Sequence, residues 1–141
     1  VALVAETPYL VLTKLKGLAA VQVASLAAAI GDPSHYQYAG QVFRRAGLVC
    51  GRDDSGTRQR KGKGKHVVKV GDVYLRRALL SALATLILHQ PVLRAYYTQL
   101  KKSKPNGVAR VAAARRAIGI LWATLRDQRP ATLVLKRGAT V

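Results

Sequence analysis

Residues 51–65, GRDDSGTRQRKGKGK, hold six lysines and arginines, two aspartates and four glycines, and no aliphatic or aromatic side chain. A stretch like this has nothing to bury and neither helical nor strand periodicity, so it reads as a loop. Any core must then be assembled from the halves on either side. Half of the 141 residues are hydrophobic, which suits one compact domain and is too apolar for a disordered chain.

Both halves read as helix after helix. YLVLTKLK (9–16) makes a turn or two, and LAAVQVASLAAAI (18–30) is alanine-rich with regularly spaced apolar residues; Gly31 closes it. DPS (32–34) is turn chemistry, and a shorter helix over 37–46 ends at Gly47. After the loop, HVVKV (66–70) suggests a short extended piece, and Asp72 caps a helix over 73–89. That helix is apolar nearly all round beyond Arg77 and is expected in the core. Pro91 breaks or restarts it.

Leu93, Tyr96, Tyr97 and Leu100 then recur at i, i+3, i+4 and i+7, the stripe of an amphipathic helix that ends before KPNG (104–107). The two tyrosines fit either base stacking or a core-facing stripe. The last helix, 108–127, places Val111, Ile118, Trp122 and Leu125 on one face and leaves Arg110, Arg116 and Arg126 to point elsewhere. No internal repeat is evident. The expected fold is a compact all-α domain spanning 1–141: a helix-hairpin-helix-like part (9–50), a long basic loop (51–70), a helical core (71–129) and a tail (130–141).

Charge narrows the partners. Against 6 acidic residues stand 24 lysines and arginines, a formal net charge of +18. Such an imbalance calls for a polyanion, DNA or RNA before an acidic membrane surface. The longest apolar stretch, Ala78 to Leu88, falls well short of the roughly 20 residues that span a bilayer. Cys50 is the only cysteine, so no internal disulfide is available and a reducing, cytoplasmic setting is expected. His35, His66 and His89 lack metal-ligand spacing, and no metal or cofactor is expected within this chain. The chain starts at Val1 without a leader pattern and contains no methionine, so it reads as a piece of a longer protein.

Three features carry candidate chemistry. LKGLAAVQVA (15–24) has a helix-hairpin-helix layout, with Gly17 in the turn and backbone N–H groups at the second helix start for a DNA phosphate. Ala19 stands where a second glycine is usual, and a plain helical hairpin accounts for the same residues. The second feature is the basic run from Arg58 to Lys69, which holds six cations and no acid. If all six met phosphates, log K would fall with log salt at a slope of about −5.

Arg52, Arg58, Arg60, Lys61, Lys63, Lys65, Lys69, Arg76, Arg77 and Gly17 are the nucleic-acid-binding candidates. Ser55 is the third feature. By residue type alone it is a turn residue, because a serine hydroxyl needs a base, a metal or flanking cations to attack phosphorus. Arg52, Arg58 and Arg60 supply cations, and Asp53 and Asp54 oppose them.

The ordered series VASLAAAIGDPSHY, QVFRRAGLV, SG with basic residues behind it, KVGDVYLRRALLSAL, LRAYYTQLK and VARVAAARRAIGILWATLRD resembles the C-terminal domain of the insertion-sequence transposases related to the Piv-type DNA invertases. The resemblance covers about residues 14 to 129. It implies that Ser55, the serine of the SG step after AGLV, is a nucleophile that attacks a DNA phosphodiester and forms a transient phosphoserine link. It also implies an N-terminal RuvC-like domain whose four acidic residues bind Mg²⁺, DNA as partner, a guide (bridge) RNA in several members, and homo-oligomers of the full-length protein. The alternative is a non-catalytic nucleic-acid-binding helical module that keeps the hairpin and the basic loop.

Overall fold

The computed structural model describes residues 2–48 and 71–130. Within them the chain is all-α: α1 (Ala2–Ala5), a 3-10 helix (Pro8–Lys14), α2 (Ala20–Ile30), a 3-10 turn (Pro33–His35), α3 (Ala39–Arg45), α4 (Val73–His89), α5 (Pro91–Ser103) and α6 (Asn106–Asp127). The basic loop and the HVVKV segment lie outside the described residues, as does the tail beyond Pro130.

Local signals set most of the boundaries. Pro8 and Pro91 each open a helix, where a missing N–H is harmless. Gly31 ends α2 at φ 78°, its N–H donating to the Ala27 carbonyl at 2.9 Å. The Asp32 carboxylate accepts from the Ser34 N–H at 2.9 Å, starting the next turn and holding its own pKa below the usual carboxylate range. At α4 the Asp72 carboxylate accepts from the Leu75 N–H at 3.0 Å.

The 3-10 helix is tighter than the ordinary helical turns expected over 9–16. It buries Tyr9, Val11 and Leu12, and the Tyr9 hydroxyl donates to the Gly31 carbonyl at 2.7 Å. The 3-10 helix is thereby tied to the far end of α2.

One core runs from Val4 to Leu125 and draws on both halves of the chain. Its centre is α6, which packs against the 3-10 helix, α3, α4 and α5. The expectation of a single apolar face on α6 is therefore too narrow. Ala109, Ala113, Ala114 and Ala117 are buried along with Val111, Ile118, Ile120, Leu121 and Leu125. Small side chains let neighbouring helices close in from several sides, so a helix of modest hydrophobicity becomes the hub.

Conversely, α4 is not enclosed all round. Leu75, Leu79, Ala82, Leu83 and Leu86 are buried, but Tyr74 is 79% exposed and Leu88 63%. Helix α5 follows Gln90 at 107° to α4, burying Leu93 and Leu100 with Tyr96 and Tyr97 half-buried. Among the described residues no single helix is long and apolar enough to cross a membrane.

Candidate nucleic-acid interface

Residues 49–70, which carry Ser55 and most of the candidate cations, are flanked by two chain ends that meet. Helix α3 ends in a Schellman turn: the Gly47 N–H donates to the Arg44 carbonyl at 3.0 Å and the Leu48 N–H to the Phe43 carbonyl at 2.9 Å, with Gly47 at φ 68°. Gly71 packs directly onto that turn. A Cβ at Gly71 would lie 2.7 Å from the Gly47 nitrogen and 2.8 Å from the Arg45 carbonyl, and its φ of 127° also demands glycine.

Further bonds fasten the junction. The Asp72 N–H donates to the Arg45 carbonyl at 2.8 Å, and Arg76 Nε donates to the Ala46 carbonyl at 2.9 Å. Arg45 Nη2 reaches Asp72 Oδ2 at 3.1 Å. The same guanidinium donates to the Ile30 carbonyl at 3.3 Å and to the Tyr36 hydroxyl.

The hydrogen bond from the Leu75 N–H, followed by the Arg45 charge, holds the Asp72 carboxyl below the usual range. The Tyr36 hydroxyl, with the Asp72 charge behind it, raises Arg45 further. Both groups are therefore ionised throughout the neutral range, and the clasp keeps its charge pair there.

Around this junction the surface is cationic. The described residues contain four acids, Glu6, Asp32, Asp72 and Asp127, and the ion pairs among them are Arg45–Asp72 and Arg126–Asp127. Arg44 and Arg77 are exposed. Arg76 is partly buried, and its Nη2 is enclosed without a hydrogen-bond partner among the described residues. Arg115 lies 4.7 Å over the Phe43 ring and Arg116 5.3 Å over the Tyr96 ring, contacts that fix guanidinium orientation without neutralising it.

Of the sequence-predicted residues, Ser55, Arg52, Arg58, Arg60, Lys61, Lys63, Lys65 and Lys69 lie outside the described residues. Arg76 and Arg77 sit in the first turns of α4, beside the clasp. Gly17 sits at the other end of α4: at φ 103°, a Cβ there would lie 2.9 Å from the Thr85 carbonyl and 3.0 Å from His89 Cβ. About nine residues of helix, roughly 14 Å, separate Thr85 from Arg76.

The Gly17 turn is docked onto α4 by further bonds. Gln90 Nε2 donates to the Lys16 carbonyl at 3.1 Å, and Gln22 bridges the Ala19 N–H and the Thr85 hydroxyl at 3.0 and 3.1 Å. The first helical element of the expected hairpin is the 3-10 helix. Sequence alone does not distinguish Arg44, Arg45 and Arg115 from the other arginines; the RR pair after QVF marks two of them, and nothing local marks the aromatic partner of the third.

In class this is a small all-α domain with a cationic surface and a clasp between α3 and α4. The sequence profile described as the transposase IS116/IS110/IS902 family matches residues 9–98, and the chain belongs to that family. It is 30% identical over 118 residues to the insertion element IS110 uncharacterized 43.6 kDa protein of Streptomyces coelicolor, covering 83% of this chain and 28% of that protein. A second relative, the insertion element IS116 uncharacterized 44.8 kDa protein of Streptomyces clavuligerus, is 30% identical over 123 residues, covering 84% of this chain and 29% of that protein. The chain spans less than a third of the length of these curated relatives.

Proposed function

We propose that this chain is the DNA-binding, serine-bearing C-terminal domain of a transposase, with Ser55 as the nucleophile in strand cleavage. The observation that carries the proposal is membership of a transposase family over most of the chain. The clasp supports it: Gly47 with Gly71, and Arg45 with Asp72, bring together the two described stretches between which Ser55 lies in sequence.

In the proposed step the Ser55 oxygen bonds to phosphorus and the P–O bond to the sugar breaks. The hydroxyl proton ends on the departing sugar oxygen, and the phosphoserine ester conserves the bond energy for rejoining. Arg52, Arg58, Arg60 and Arg76 offset charge on the non-bridging oxygens. Lys61, Lys63, Lys65, Lys69 and Arg77 hold the backbone, and Gly17 marks a second contact through the start of α2. Among the described residues no group of three or more His, Cys, Asp or Glu could hold a metal ion. The Mg²⁺ that the resemblance implies is assigned to a RuvC-like domain of the full-length protein. Guide RNA and a homo-oligomer belong to the same proposal.

The test joins this chain to its RuvC-like domain with Mg²⁺ and target DNA. Strand transfer and a covalent protein–DNA adduct are expected, both abolished by Ser55→Ala. An undiminished adduct in that variant overturns the serine assignment, and binding without any adduct favours the non-catalytic module.

A further inference from the structure

We propose that the exposed face of α6 is a separate docking floor for the sugar-phosphate backbone of duplex DNA, with Arg115 and Arg116 as its cations and Gly119 as the point of closest approach. The inference rests on the reading of this chain as a DNA-binding domain, and it names a surface distinct from the segment that carries Ser55.

Helical spacing puts Ala112, Arg115, Arg116, Gly119 and Ala123 on one face of α6. Arg115, Arg116 and Gly119 are exposed and the two alanines half-exposed, opposite the face packed into the core. The arginines lean to opposite flanks. Arg115 lies over Phe43 of α3 and Arg116 over Tyr96 of α5, which leaves small residues along the middle. Neither arginine has an acidic partner within ion-pair distance among the described residues. A guanidinium resting on a ring still presents its edge N–H groups, the geometry that suits a phosphate.

Gly119 sits inside a 22-residue helix, where glycine is a poor helix former. The usual reasons for tolerating one are a positive φ or a tightly packed neighbour, and it has neither: its φ is not positive, and a Cβ there would meet nothing within 4 Å. The fold itself does not ask for glycine at this position. A missing side chain between two oriented arginines does let a partner's backbone come close to the helix.

Duplex DNA fits better than a single strand. Strand binding without base pairs relies on open aromatic faces, whereas here each flanking ring carries a guanidinium. The excess of cations across the chain supplies the charge complementarity.

The test is fluorescence anisotropy of the 141-residue chain with a labelled random-sequence duplex across a salt series, beside single-stranded RNA of the same length. Arg115→Gln with Arg116→Gln is expected to lower the slope of log K against log salt by about 1.8, two phosphate contacts' worth, and to weaken binding. Gly119→Ala is expected to weaken binding while the melting temperature holds or rises. Arg110→Gln removes one charge from another face of α6 and is expected to leave duplex affinity near wild type, against the two charges removed by the double variant. An equal loss per charge removed in the Arg110 variant, or no loss in the double variant, overturns the docking floor while the DNA-binding reading stands. Loss confined to RNA overturns the assignment to duplex DNA, and failure of the wild-type chain to bind any duplex removes the functional reading itself.

Discussion

The Arg45 guanidinium meets the Asp72 carboxylate at 3.1 Å across 27 positions of sequence, beside the point where Gly47 and Gly71 bring two backbones together. Arg45 also binds the Tyr36 hydroxyl, and Tyr36 sets its ring edge-on to Trp122 of α6 with centroids 6.0 Å apart. A continuous line of contacts thus runs from the central helix to both ends of residues 49–70. The residues that precede and follow the proposed nucleophile in sequence, Leu48 and Gly71, belong to one packed body with the core.

Gly71 and Gly119 should respond oppositely to the same substitution. At Gly71 an alanine Cβ would press on the backbone of Gly47 and Arg45 at a φ of 127°, a strain of about 1–3 kcal/mol before any clash is relieved. At Gly119 the added methyl meets open space and helix propensity gains about 0.5–1 kcal/mol. Urea unfolding of Gly71→Ala and Gly119→Ala is expected to move the midpoint down and up respectively. A neutral Gly71→Ala would mean that the clasp is looser than these contacts imply.

Asp72 gives the clasp an acid limit. Its folded pKa is lowered by the Leu75 N–H and then by Arg45, so its contribution is fully present above the unfolded carboxylate value of about 3.9 and is lost as pH falls through the lower folded value. Asp72→Asn keeps a good helix cap but no charge. Thermal melts from pH 7 to pH 2 are expected to show the variant less stable at neutral pH, with the gap closing below about pH 4.

Helix ends were legible in the sequence because they are set by neighbours in the chain. Asp72, Pro91, Gly31 and Gly47 mark the boundaries by local chemistry, and the structure uses each of them. The clasp was not legible, since nothing near RRAGL or VGD announces that the two segments touch. Nor was the centrality of α6: alanines signal helix without signalling how many sides of it are covered, and the longer leucine run of α4 draws attention away. Gly17 shows the same limit. Its place in a turn was readable, but its close approach to Thr85 and His89 depends on a helix that begins 56 positions later.

Tyr9 tests the tie between the 3-10 helix and α2. Its side chain is buried and its hydroxyl donates to the Gly31 carbonyl; burial, with the nearby Tyr36 and Asp32, pushes its pKa well above the ordinary phenol value. Tyr9→Phe is expected to cost about 1 kcal/mol at neutral pH by removing that bond. The difference narrows in alkali. A folded pKa above the unfolded value of about 10 means that wild type loses stability as pH rises past it, so melts at pH 8 and pH 11 should show the Tyr9→Phe deficit shrinking.

Arg76 is the cation in which folding and binding pull apart. Its Nε bonds the Ala46 carbonyl, while Nη2 is enclosed with no partner among the described residues, a situation that ordinarily destabilises by about 1–3 kcal/mol. Arg76→Met removes the orphan donor along with the one good bond and keeps most of the aliphatic bulk, so the two effects offset and stability should move by less than about 1 kcal/mol. If Arg76 faces phosphate as proposed, the same variant should lose about 0.9 from the salt slope of duplex binding. Measuring both on one protein separates the roles: unchanged binding with a large loss of stability would make Arg76 a strut of the clasp, and weakened binding on an intact fold would make it a contact to the nucleic acid.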